Sequence, residues 1–187
     1  MLTEDYIMRM ISQALAVIMT ALGLKRSRKL TEALQTFDQA LEILLGLNAN
    51  LANQLDDSAL LDKLTFQGKL DTDRLLVLAD IYHEQAEIYS LQGQPQSFRF
   101  AAQRSLRFNL EAVLASEAIN DLELIQKIEA LRSKLEAAAL PAETRLALMD
   151  YIDRLLGSND EFLATAGLSR PGLQSDLSSI DRLQKQS

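Results

Sequence analysis

Residues 30–46, "LTEALQTFDQALEILLG", decide how this chain is read. Ala33, Phe37 and Ala40 stand at i, i+4 and i+7, which puts them on one face of a helix. The two small side chains let a neighbouring helix approach closely, and Phe37 fills the wedge that remains. Ala21, in the stretch before, offers another small contact point. The spacing predicts a helix paired with its predecessor in a hairpin, although any amphipathic helix with alanines on its buried face carries a similar pattern.

Upstream, Thr3 is a plausible helix cap, with Glu4 and Asp5 in the first turn. At about 100° per residue, Asp5, Arg9, Ser12, Gln13, Ala16, Thr20 and Gly23 form one narrow stripe, and the rest of the circumference is apolar. A helix on the outside of a small domain shows a narrower apolar face than this. Something must cover it from two sides, either more of this chain or a second copy, so Met8, Ile11, Leu15, Ile18 and Leu22 are candidate self-association residues. A membrane reading is weaker. A secretory signal puts positive charge before its apolar run, whereas here acids precede it and "KRSRK" (25–29) follows. A spanning helix needs about 20 apolar residues, and Arg9, Ser12, Gln13 and Thr20 interrupt this one. No membrane partner is expected. The "KRSRK" cluster reads as a soluble turn that complements helix C-terminal carbonyls.

Downstream the pattern loosens between Leu47 and Asp71. A break is expected near Asp56 and Asp57, then a short helix capped by Ser58. Long helices follow over 71–92 and 96–116. Asn120 is read as the cap of a helix over 121–138, and Pro141 as the first residue of one that stops at Gly157. A short helix around 160–166 and a break at "SRPG" (169–172) lead into a polar tail. There Leu177, Ile180 and Leu183 could dock as an amphipathic turn or two, but fraying is the commoner fate of such a tail. The division expected is a helical domain over 1–157 and a C-terminal segment over 158–187.

Composition bounds the function. The chain has 187 residues, no Trp, no Cys and a net charge of −7. That charge argues against nucleic acid as a partner, because phosphate neutralisation needs a basic surface. The missing cysteines remove thiolate nucleophiles and thiolate metal sites, and they suit a reducing cytoplasm. There is no Gly-rich phosphate loop, nucleophile elbow or zinc spacing.

The frame "TEALxxFxxALEI" (31–43) resembles the second-helix consensus of the tetratricopeptide repeat (TPR). The first-helix positions fit less well, with Val17 where Trp is usual and Thr20 where Leu is usual. "AEIYSLQGQ" (86–94) resembles the end of a second, decayed repeat. The stretches "MLTEDYIMRMI" (1–11), "GLNANL" (46–51) and "GKLDTDRLL" (68–76) are similar to a group of short, uncharacterised bacterial TPR-like proteins, over roughly residues 1–150. The resemblance implies an all-α, degenerate stack of antiparallel helical hairpins with about six to eight helices. It implies no activity.

One cluster invites chemistry. Asp80, His83, Glu84 and Glu87 stand at i, i+3, i+4 and i+7, on one helix face. Such a set could hold a divalent metal or a general base. A bundle-type metal site needs a second Glu-x-x-His on another helix, which a chain with 1 His cannot supply. No metal, cofactor or catalytic residue is therefore assigned. In a TPR-like stack Asp80, His83 and Glu87 would face the concave groove, acidic here and apolar at Leu15, Ile18 and Leu22. A basic, amphipathic peptide suits that groove, unless the C-terminal helices fill it. Arg99, Arg104 and Arg107 are read as a second basic face in solvent. The expected function is a non-enzymatic protein-interaction scaffold. The alternatives are a self-associating structural homodimer and, further off, a metal-binding enzyme.

Overall fold

The computed structural model describes residues 2–116 and 119–186. The protein is all-α and built from packed helical hairpins. It divides into two compact units, Met1–Ser105 and Leu106–Ser187.

In the first unit, α1 (Leu2–Arg26) and α2 (Leu30–Leu45) form the predicted hairpin. α1 already includes Leu2, which puts Thr3 inside the helix rather than at its cap. The connection is tight, and Arg28 takes a left-handed backbone, φ 61°. α2 ends at Gly46, φ 61°, whose N–H donates to the Glu42 carbonyl. A left-handed glycine is the usual way to stop a helix, since it has no Cβ to clash. Ala33, Phe37 and Ala40 are fully buried, as their spacing predicted.

α5 (Thr72–Leu91) packs against both α1 and α2. It buries Leu75, Leu78, Ala79, Tyr82 and Ala86, and Tyr89 on the same helix is half-buried. Gln85 is buried too and donates from Nε2 to Asp38 Oδ1 at 2.9 Å, fastening α5 to α2. Burial holds the Asp38 carboxyl above its ordinary range, against the pull of that hydrogen bond.

The insert between the hairpin and α5 holds two short helices, α3 (Ala49–Gln54) and α4 (Asp57–Lys63). Asp56, not Ser58, caps α4, accepting from the Ala59 N–H at 2.7 Å. A hairpin the helical reading missed follows, with β1 (Thr65–Phe66) antiparallel to β2 (Lys69–Leu70) and Thr65 opposite Leu70. Gln67 and Gly68 both have positive φ, 52° and 77°, as a two-residue primed turn requires. α6 (Pro95–Leu114) closes the first unit and opens the second.

The second unit continues with α7 (Leu122–Arg132), a 3-10 turn at Ala137–Ala139, and α8 (Ala142–Leu156). Asp121 caps α7, one residue later than expected, and the helix stops six residues short of Ala138. α9 (Asp160–Thr165) lies where the short helix was predicted. The larger difference is α10 (Arg170–Lys185), a full helix docked on α8 where the sequence suggested a fraying tail. Ser169 caps it and Pro171 sits in its first turn, where a proline's missing N–H removes nothing. "SRPG" is thus a start signal rather than a break. Leu173 and Ile180 are buried, and Leu177 and Leu183 are half-buried.

Polar contacts complete the docking of α10. Arg170 donates to the carbonyls of Leu156 and Ser158, where the C-terminal end of α8 leaves acceptors open. Arg132 bridges Glu129 and Asp176, the latter at 2.7 Å. Tyr151 donates to Glu129 Oε1 at 3.1 Å. Burial, reinforced by the Glu129 charge, pushes its hydroxyl pKa well above the ordinary range.

Candidate functional site

α5 carries Asp80, His83, Glu84 and Glu87, and the fold brings a cation to them. The Lys25 ammonium, in the last turn of α1, donates to Glu84 Oε2 at 2.6 Å and to Glu87 Oε2. His83 Nε2 lies 3.6 Å from Glu87 Oε1, while its Nδ1 is enclosed without a hydrogen-bond partner. Asp80 is half-buried and engaged within the protein. The first residue of the "KRSRK" cluster therefore pins α1 to α5 rather than serving helix carbonyls. Among the described residues no group of three or more His, Asp or Glu is placed to hold a metal.

Lys25 gives this contact a pH signature. Burial alone would lower its pKa, but the hydrogen bonds and charges of Glu84 and Glu87 outweigh it and the pKa is raised above 10.5. A lysine whose folded-state value exceeds the unfolded one stabilises fully below pH 10.5, and the contribution is lost as pH rises through the folded value. A Lys25→Gln variant should be less stable by about 1 kcal/mol at pH 7, the scale of a partly exposed ion pair. Its denaturation midpoint should converge on the wild type's above that range. Equal midpoints at pH 7 would remove Lys25 from the ledger of fold determinants.

The Arg104 guanidinium, read from sequence as part of a solvated face, is 4% exposed. It donates to Asp57 Oδ1 at 2.8 Å, to the Tyr82 hydroxyl at 3.1 Å, and to the carbonyls of Ala52 and Leu55. It also stacks 4.6 Å from the Phe100 ring centroid, which accounts for that partly exposed aromatic. Tyr82 in turn donates to Asn53 Oδ1 at 3.0 Å. These contacts lock the α3–α4 insert onto α5 and α6, and they are structural. Of the other two arginines, Arg99 is exposed and Arg107 is half-buried, 2.7 Å from Glu111.

What remains open is α1. Ile11, Ala14, Ile18 and Ala21 are buried, and α2 and α5 cover that side. The flanks of that side are exposed: Met8 55%, Leu15 45% and Met19 64% on one flank, and Tyr6 60% on the other. These are four of the nine large exposed hydrophobics among the described residues. Of the five candidate self-association residues, Met8 and Leu15 lie on the open face, Ile11 and Ile18 point into the core, and Leu22 is half-buried between. Tyr6 and Met19 belong to the exposed set and were not singled out. An apolar pattern all around a helix marks excess surface without saying which side the core takes.

Residues Asp5–Arg26 are long and apolar enough to cross a membrane by length and composition. A cavity of about 580 Å³ opens beside the start of α1, lined by Tyr6, Met10, Phe66, Lys69, Leu70 and Arg74 among others. No family model, curated protein or solved structure matches the chain.

Proposed function

We propose that this protein is a non-enzymatic, TPR-like interaction scaffold of the reducing cytoplasm, and that it docks a protein partner on the open face of α1. The observation that carries the reading is the exposed Met8–Leu15–Met19 stripe, which runs along one flank of the buried face of α1. Support for the TPR-like part comes from the buried Ala33, Phe37 and Ala40 and from the packing of α5 against both helices of the first hairpin. The Asp80–Glu87 face is a poorer docking site. A basic peptide would have to displace Lys25 from Glu84 and Glu87.

Photo-crosslinking in cells tests this. A benzophenone amino acid at Leu15 should give protein adducts, and one at Gln35, exposed on α2, should not. The triple change Met8→Ser, Leu15→Ser and Met19→Ser should abolish adducts formed from the same amino acid at Ser12, exposed beside the stripe, while leaving the melting temperature within a few degrees, since exposed side chains contribute little to folding. Absence of any adduct at Leu15 would sink the reading.

A further inference from the structure

We propose that the occupant of the α1 face is a second copy of this chain, paired antiparallel about a two-fold axis between Leu15 and Ala16. The inference rests on the docking role of that face and supplies its partner. A two-fold axis there sets each residue opposite the one whose number completes a sum of 31, so the sequence can be checked against it. Asp5 meets Arg26, Met8 meets Gly23, Met19 meets Ser12 and Leu15 meets Ala16. All eight are exposed, and at about 100° per residue they share one sector roughly 100° wide. Met8, Leu15 and Met19 each thus stand level with a small residue, the acid stands level with the base, and the two copies of Leu15 meet beside the axis. Symmetry makes each of these contacts twice, as a self-complementary interface demands.

The other arrangements fit worse. In a parallel pair Asp5 would lie beside Asp5, Arg26 beside Arg26, and the methionines would collide in register. An anionic bilayer would meet Asp5 and a chain of net charge −7. It would also leave unfilled the notches at Ser12, Ala16 and Gly23, which suit an opposing helix whose axis approaches to about 8 Å.

The absence of cysteine permits a direct test. Ala16→Cys should crosslink under mild oxidation into a species of twice the 20.8 kDa chain, because the two thiols would flank the axis. Asp5→Cys should not, since its two copies would lie about 30 Å apart, 21 residues at about 1.5 Å each. Light scattering should give a dimer mass for the wild type. Arg26→Asp should weaken the dimer at least tenfold, and adding Asp5→Arg should restore it. Crosslinking of Asp5→Cys as readily as Ala16→Cys would overturn the antiparallel pairing. A monomeric mass without Ala16→Cys crosslinks would overturn the dimer, as would a dimer indifferent to Leu15→Asp and Arg26→Asp. A monomer that sediments with phosphatidylglycerol vesicles would hand the face to a membrane. Monomeric protein whose Leu15 photo-adducts contain another polypeptide would overturn the second copy while leaving the scaffold reading intact.

Discussion

Replacing Arg104 by alanine should cost about 3–5 kcal/mol of stability, the scale for removing one partner of a buried ion pair. The loss would be a large part of the total for an ordinary domain, which is about 5–15 kcal/mol. Four acceptors lose their donor at once: Asp57, the Tyr82 hydroxyl, and the carbonyls of Ala52 and Leu55. Burial already holds the Tyr82 hydroxyl above its ordinary pKa, opposed by the Arg104 charge, so removing that charge should raise it further. Arg104→Lys should recover little, because an ammonium cannot spread its donors across a fork of acceptors. Urea unfolding followed by circular dichroism reads the effect. A shift below about 1 kcal/mol would mean the insert holds its place without the arginine.

Ending the chain at Leu168 should be at least as costly, by about 3–6 kcal/mol. Leu173 and Ile180 are each worth about 1.5–3 kcal/mol when fully buried. The truncation also removes the Arg170 cap on α8, the Asp176 carboxylate on Arg132, and Gln184, which accepts from Arg145 Nε at 2.9 Å. The expected result is a lower melting temperature for the truncated chain. An unchanged melt would restore the view of residues 169–187 as a passive tail.

These two cases show where sequence reasoning reached its limit. Helical class and hairpin pairing were legible because Ala33, Phe37 and Ala40 repeat at the period of the element itself and put two small side chains on the face a neighbour must approach. Arg104 was misread because nothing local distinguishes a buried arginine from a solvated one. Its partners lie 22 to 52 positions away and are brought close only by the fold. Lys25 was misread for the same reason, its carboxylates being 59 and 62 residues distant. The displaced caps are a smaller matter. Where Asn120 and Asp121, or Asp56 and Ser58, compete within two positions, backbone geometry picks the one whose oxygen reaches a free N–H. For the candidate site, the acidic cluster was correctly placed on one face, but its neutralising lysine was invisible. The apolar excess of α1 was evident, and which residues bear it awaited the core.

The Arg104 cluster bears on descent as well as on folding. An alanine or leucine in the core drifts easily, since a neighbour can repack around it. Arg104, Asp57 and Tyr82 have less freedom, because losing Arg104 strands the polar groups of the other two, and losing either of them takes an acceptor from the buried guanidinium. Lineages that split from this chain should keep the three or lose them together. The triad, with its separations of 25 and 22 positions, would then mark distant kin after the repeat-like spacing of residues 30–46 has worn away.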